Sequence, residues 1–479
     1  MNNNGRNLTM LTDLYQLTMM YGYHKIGKAD RIVAFDLFFR KSAGDNGYAV
    51  VAGLEQVIDY IEGLHFSDDD IVYLRSLDLF DESFFETLRK LKFTGDLYAI
   101  PEGTVVFPYE PLIRVKAPIL QAQLIETALL NIVNHQTLIA TKASRVVHAA
   151  QGGTVLEFGL RRAQGPDAGV YGARAAIIGG CSATSNVLTG QLFGIPVRGT
   201  HAHSWVMSFP DELSAFRAYA ETFPENCLLL VDTYDTLKSG VPNAITVFEE
   251  LRHKGYKSLG IRLDSGDIAY LSKKARKMLN QAGFMDAKIV ASGDLDEWTI
   301  WDLKAQGAAV DIWGVGTALI TSSDNPALGG VYKLVAEESG GIMYPKIKIS
   351  ENPSKITNPG YKKASRIYDK DSKAVADLIM LDDEVIDQNR PLTIFDPVDT
   401  WKIMTINNYT IKDLLVPVFQ DGIKIYDSPK LIDIQTFAQK DLDTFWEEYK
   451  RLKNPHIYKV DLSRKLYNLK NDLLKEYSL

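Results

Sequence analysis

Hydrophobic and polar positions keep three successive rhythms along the chain. Residues 1–118 mix helical and extended runs. Leu11, Leu14, Leu17, Thr18 and Tyr21 recur at helical spacing, with Thr12 or Asp13 placed to cap them. Tyr15 lies on that helix, where periodicity alone assigns it to core packing. IVAFDLFFRK reads as a strand and AGLEQVIDYIEGL as an amphipathic helix ended by Gly63. SDDDIVYLRSL and DESFFETLRKL each open on Ser, Asp or Glu before an apolar periodic run, which marks a helix start. Prolines in LYAIPEGTVVFPYEPLIRVKAP predict edge strands and turns rather than a central sheet. A second rhythm runs from Ile119 to Ala149. Ile119, Leu120, Leu124, Ile125, Ala128, Leu129, Ile132 and Val133 form an apolar stripe, predicting one long helix that joins two domains.

The third rhythm, over residues 150–335, alternates short apolar strands with helical stretches. TVLEFG leads into LRRAQGPDAG, GIPVRGT into HAHSW, CLLLVD into TYDT, SLGIRLD into SGD, KIVASGD into LDEW, and VDIWGVG into TALI. Alternation of this kind predicts a parallel sheet. Short strands repeating in this way predict a closed or nearly closed (β/α) barrel; an open doubly wound sheet is the alternative. In both, functional groups gather at the carboxyl ends of the strands. Beyond residue 335, GGIMYPKIKISENPSKITNPGYKKASR carries Lys346, Lys348, Lys355, Lys362, Lys363 and Arg366. It reads either as a solvated loop or as a basic flap over phosphates. Strand-like TWKIMTI and IKIYD, expected to return to the N-terminal domain, precede helices through TFAQKDLDTFWEEYKRL and SRKLYNLKNDLLKEY. The expected organisation is an α/β domain over 1–118, a connecting helix over 119–149, a barrel over 150–335 and a C-terminal segment over 336–479.

Composition narrows the class. The 479 residues are 46% apolar and 24% charged, as in an ordinary globular protein of more than one domain. Lys and Arg number 53 against 60 Asp and Glu, a net charge of −7. No basic surface announces nucleic acid, so an anionic ligand needs local arginines and lysines. Cys181 and Cys227 are too few for a disulfide framework or a Cys-rich zinc site. The N-terminus lacks an apolar signal core, and no stretch approaches a membrane span. The expectation is a cytoplasmic protein without membrane or nucleic-acid partners.

Candidate chemistry collects at the predicted strand ends. These carry Arg161 and Arg162; Thr200, His201 and His203; Asp232 and Asp235; Arg262, Asp264 and Asp267; Ser292 and Asp294; and Gly314, Gly316 and Thr317. A histidine just past a strand is placed for proton transfer or nucleophilic attack, although such a residue also caps loops or fills core. Paired arginines offer forked donors to carboxylate or phosphate, or a surface ion pair. GVGT exposes backbone N–H groups to a phosphate, aided by the next helix N-terminus. Asp264 and Asp267 suit ribose hydroxyls or Mg²⁺, though aspartate in these places commonly caps a helix. HExxH, paired CxxC, GxxxxGK[ST] and GxSxG are all absent. What remains is a (β/α)-type enzyme acting on a phosphorylated, Mg²⁺-bound sugar substrate.

TDLYQLTMMYGY, EFGLRRAQGPDAG, GTHAHSW, RLDSGD, GVGT followed by GGVYKLV, and NPHIYKVDLS span nearly the whole chain. In this order they resemble the nicotinate phosphoribosyltransferase family. The resemblance implies an α/β fold: an irregular (β/α) barrel plus an α/β sandwich domain built from N- and C-terminal segments. It implies nicotinate mononucleotide and pyrophosphate formed from nicotinate and phosphoribosyl pyrophosphate. It also implies Mg²⁺, coupled hydrolysis of ATP as co-substrate, and a homodimer with active sites near the subunit interface. Matching the family's Gly-Thr-x-Ala-His pattern selects His203 as the phosphorylated histidine and leaves His201 as its neighbour. Thr200, Tyr15 and Arg262 match nicotinate contacts, with Tyr15 implied to reach the partner subunit's site. Thr317 matches a phosphoribosyl pyrophosphate contact, and Arg161 and Arg162 match a loop serving the ring or the phosphates. Asp264, Asp267, Ser292 and Asp294 extend the set by strand-end position, and Gly314 and Gly316 join Thr317 as part of GVGT. Asp235 or Glu157 is the expected orienter of His203. The rivals are a nicotinamide or quinolinate phosphoribosyltransferase, a sugar-phosphate barrel lyase, and a silent scaffold; no lysine at a strand end supports the lyase.

Overall fold

The computed structural model describes residues 6–42, 44, 46–257 and 259–477. It divides into two compact units, Met1–Leu138 with Ala327–Leu479, and Ile139–Pro326.

The first unit is built on a seven-stranded antiparallel sheet. Its order is Ile342–Pro345, Gly330–Ser339, Ile32–Phe39, Ile113–Pro118, Asp96–Ala99, Val416–Gln420, Ile423–Lys424. Ile32–Phe39 is buried from Val33 onward, which explains its unbroken apolar run. N- and C-terminal segments therefore share one sheet, as the sandwich domain requires. A four-stranded sheet of Thr410–Asp413, Lys362–Tyr368, Ala374–Leu381 and Val460–Leu462 comes from the C-terminal part alone. Helices Leu54–Glu62, Asp68–Ser76 and Glu82–Lys90 form where expected, with Ser67 and Asp81 capping the last two.

Four expectations change here. Asp96–Ala99 and Ile113–Pro118 lie inside the sheet, not at its edge. Pro101, Pro108 and Pro111 fall in the intervening turns and Pro118 at a strand end, so no ladder position is lost. In the first helix, Leu14–Lys25, the buried residues are Gln16, Leu17 and Met20, while Leu14 and Tyr15 are about half exposed. Gln16 earns its buried place because its Oε1 accepts from the Thr12 and Thr127 hydroxyls and the Asp13 N–H. The long helix is two, Ile119–Leu124 and Glu126–Ala149, broken at Ile125. Finally, the basic stretch is not one loop. Lys362, Lys363 and Arg366 lie in a strand, where buried Lys362 pairs with Asp36 and buried Arg366 with Asp377; Lys346 pairs with Glu337.

The second unit is the barrel. Its parallel strands run Ala183–Thr184, Thr154–Glu157, Ile312–Val315, Lys288–Ala291, Gly260–Leu263, Leu228–Leu230. The last strand in sequence pairs with the first, as closure of a barrel demands. GIPVRGT is not a full strand: only Val197 bridges, to Thr184, and the short strand Ala183–Thr184 takes the expected place. Between that bridge and Leu228–Leu230 side chains complete the seam. Thr200 Oγ1 donates to Leu228 O at 2.5 Å, and the Leu230 N–H donates to His201 Nε2 at 3.2 Å. Among the described residues no helix is long and apolar enough to cross a membrane.

Candidate active site

The carboxyl ends of the barrel strands surround a cavity of about 590 Å³. Arg161, Arg162, Thr200, Arg262, Asp264, Ser292, Gly314, Gly316 and Thr317 line it. Phe158 and Ser185 also line it and escaped the sequence reading. Phe158 hides as an aromatic one residue past its strand, and Ser185 lies beyond a strand of two residues. Asp294 is a further wall residue and exposed.

Each wall has a local cause. Arg161 and Arg162 sit on a single 3-10 turn, Leu160–Arg162, with both side chains exposed. Buried Glu157 anchors that turn: its carboxylate accepts from the Gly159 N–H and from Thr184 Oγ1. Burial raises its pKa, with both hydrogen bonds opposing. Gly314 is required by Phe158, since a Cβ there would stand 2.6 Å from the ring. Gly316 precedes a helix of only five residues, Thr317–Thr321, so the expected dipole contribution is small.

Arg262 is largely buried at the back of the site. Its Nη1 donates to His201 O at 3.3 Å, and its Nη2 lies 3.6 Å from Asp264 Oδ1. Its Nε is buried with no hydrogen-bond acceptor. Burial lowers the guanidinium pKa, against the pull of Asp264 and Asp232, but arginine stays charged. Ser292 Oγ donates to Asp264 Oδ1 at 2.5 Å. Buried Asp232 accepts the Asp264 N–H at 2.8 Å and the Ser265 hydroxyl at 2.7 Å, fixing the loop that carries Asp264.

The two histidines differ sharply. His201 is buried and packs edge-on against Tyr219 at 4.7 Å between ring centres. Burial is the main cause that pushes its pKa down to about 4, and Arg262 and His203 add to it. A neutral ring is what the seam needs, because Nε2 must accept from Leu230. His203 opens the short helix His203–Met207 with its side chain 38% exposed. Its Nδ1 lies 3.1 Å from Thr233 Oγ1, and its Nε2 lies 3.8 Å from Asp264 Oδ2. Neither expected orienter contacts it. Asp235 caps the turn Thr236–Gly240 through the Leu237 and Lys238 N–H groups, and Glu157 is committed to Gly159 and Thr184.

Three candidates fall outside the cavity wall, and His203 is one of them: the histidine that lines the cavity is His201. Asp267 caps the helix Ile268–Gln281 by accepting the Tyr270 N–H at 2.8 Å. Tyr15 belongs to the first unit; burial, Glu126 and Asp13 push its hydroxyl up to about 12.

Sequence models described as the nicotinate phosphoribosyltransferase N-terminal domain, family and C-terminal domain match residues 10–134, 154–369 and 361–470. The nicotinate phosphoribosyltransferase of Bacillus subtilis (strain 168) is 52% identical over 470 residues, covering 98% of this chain and 96% of that one. The chain belongs to the nicotinate phosphoribosyltransferase family. The Homo sapiens nicotinate phosphoribosyltransferase is 35% identical over 523 residues, covering 97% of this chain and 96% of its own. A crystal structure of human nicotinic acid phosphoribosyltransferase matches at a TM-score of 0.84 and 33% identity, covering 97% of this chain and all of that one. The cavity at the strand ends of this chain is walled by arginine, carboxylate, hydroxyl and an aromatic ring.

Proposed function

We propose that this chain is a nicotinate phosphoribosyltransferase. It joins nicotinate to the ribose of phosphoribosyl pyrophosphate, releases pyrophosphate, and couples the reaction to ATP hydrolysis through a phosphohistidine at His203. Full-length similarity to the Bacillus subtilis protein of that name supports the reaction. The observation that carries the site is Arg262, largely buried on the cavity wall with Nε–H lacking an acceptor. Such a donor suits a carboxylate, which nicotinate has and nicotinamide lacks. Leaving the guanidinium unpaired would penalise the amide, so the acid is the preferred substrate.

The nicotinate ring nitrogen gives its electron pair to the anomeric carbon of ribose as the bond to the pyrophosphate oxygen breaks. Positive charge develops on the sugar and negative charge on the leaving group. Arg161 and Arg162 at the cavity wall are suited to the phosphates. Arg262 is assigned to the nicotinate carboxylate, Thr200 to the same group through its backbone N–H because its hydroxyl already donates to Leu228 O, and Thr317 beside Gly316 to the phosphoribosyl end. Holding both substrates in one cavity supplies much of the rate through orientation.

Asp264 and Asp294 are the carboxylates on the cavity wall. Mg²⁺ characteristically takes one or two carboxylates and leaves its other positions to phosphate oxygens and water. The donor set therefore fits Mg²⁺ arriving with a diphosphate. When bound it neutralises charge on the phosphates.

In the coupled half-reaction, imidazole nitrogen of His203 forms a bond to the γ-phosphorus of ATP while the bond to ADP breaks. Water later takes the phosphoryl group and restores the ring. Fresh charge beside Asp264 would reorganise the loops around the cavity and alter substrate affinity. We further assign a homodimer, with Tyr15 serving the partner's site, and a cytoplasmic setting, consistent with two buried cysteines outside any disulfide.

The test is ATP hydrolysis by purified protein with Mg²⁺, with and without nicotinate plus phosphoribosyl pyrophosphate, beside His203→Ala. Mononucleotide formed with ADP release, and phosphate label lost in the variant, is the expected result. Mononucleotide without ATP use or label would keep the transferase and remove the phosphohistidine. No product from nicotinate would overturn the reading. Sedimentation at twice the chain mass checks the dimer.

A further inference from the structure

The loop that carries both histidines is fastened along the strand Leu228–Leu230 and the segment that follows it. Thr200 reaches Leu228 O, His201 Nε2 receives the Leu230 N–H, and His203 Nδ1 meets the Thr233 hydroxyl. The first two fastenings use strand backbone. Only the third uses a side chain of that segment, so it alone can be removed by substitution on the strand side without touching the loop.

His203 also depends on this contact more than His201 does on its own. His201 is buried against Phe216 and Tyr219, with ring centres at 6.2 and 4.7 Å. His203 is 38% exposed, and no aromatic ring contact to it is found among the described residues. Asp264 stands 3.8 Å from Nε2, beyond hydrogen-bond range. The flanking aspartates are engaged elsewhere, Asp232 with Asp264 and Ser265, Asp235 with the Leu237 and Lys238 N–H groups. The Thr233 hydroxyl is thus what sets the ring about its own axis.

We propose that Thr233 is a positioning residue for His203, holding Nδ1 so that Nε2 faces Asp264 at the cavity wall. This rests on the reading that ATP phosphorylates His203. The choice of side chain has a chemical reason. A hydroxyl both donates and accepts, so it can hold the ring through Nδ1 in either tautomer.

The experiment is single-turnover phosphorylation of the full chain by γ-labelled ATP with Mg²⁺, comparing the unsubstituted protein with Thr233→Val and Thr233→Ser. Valine keeps the shape and removes the hydroxyl; Thr233→Ala is a second hydroxyl-free variant should valine impair folding. Labelling at saturating ATP should slow about 5- to 10-fold in the hydroxyl-free variants, the rate equivalent of one neutral hydrogen bond. Half-saturation by ATP should stay within about twofold, because Thr233 meets the ring and does not line the cavity, and serine should restore the rate. Full-rate labelling by Thr233→Val, or slow labelling by Thr233→Ser, overturns the assignment of Thr233. An unsubstituted protein that takes no label overturns the phosphohistidine itself, and this inference with it.

Discussion

His201 and His203 are separated by one alanine and do different work because their surroundings differ. Burial holds His201 neutral, with its pKa near 4, and a hydrogen bond to Leu230 uses that neutrality. In the unfolded chain the ring titrates near about 6.5. The unfolded state therefore binds more protons between these values, and stability falls as pH drops through them. The contribution is complete above about pH 6.5, and roughly 2 kcal/mol of it is lost between pH 7 and pH 5. Urea unfolding at these two pH values should show that loss, and His201→Gln should flatten it. An unchanged slope in the variant would mean that another group carries the acid sensitivity. Aspartates show the same division by environment: Asp264 faces the cavity, whereas Asp267 three residues on is a helix cap.

At the scale of elements, the site depends on how short strands end. Strand Ile312–Val315 brings Gly314 under the ring of Phe158, and Glu157 fixes the turn that follows. A methyl group at 314 must push the ring, and the ring's free side is the cavity. Gly314→Ala is expected to cost about 1–3 kcal/mol of stability through overpacking. It should also raise KM for nicotinate more than it changes kcat. Thermal unfolding together with steady-state kinetics separates the two effects, and an unaltered KM would place Phe158 outside the substrate's reach. The seam is the other dependence. Where the strand ladder lapses, Thr200 and His201 supply side-chain bonds, so the loop preceding His203 is held by the barrel wall itself.

Across the whole molecule, the first unit is held partly by charges far from any solvent. Arg366 is fully buried and bonds Asp377 through Nε and Nη2 at 2.9 and 2.7 Å, Asp441 at 3.2 Å and Val105 O at 2.6 Å. These contacts tie the four-stranded sheet to the helix Leu431–Asp443 and to the N-terminal segment. Asp377→Ala would leave the guanidinium buried with only Asp441 and Val105 O as partners and should destabilise the first unit by about 3–5 kcal/mol. A lower urea midpoint is the expected observation; a loss below about 1 kcal/mol would show that Asp441 and Val105 suffice.

The sequence by itself determined the barrel's strand–helix alternation, because buried parallel strands must be apolar throughout and must end in polar loops. It also determined most of the cavity wall, since strand ends in such a sheet converge on one rim. Tertiary structure decided what periodicity could not carry. Prolines looked like edge signals until the turns absorbed them, leaving Ile113–Pro118 central. Lys362 and Arg366 looked solvated until Asp36 and Asp377, distant in sequence, made their burial possible. Thr233 was invisible as one residue in VDTYDT, because its role exists only where the loop bearing His203 returns to that strand. Patterns along the chain report which surfaces must be buried. Pairings between distant polar groups depend on which surfaces meet, and only the folded chain fixes that.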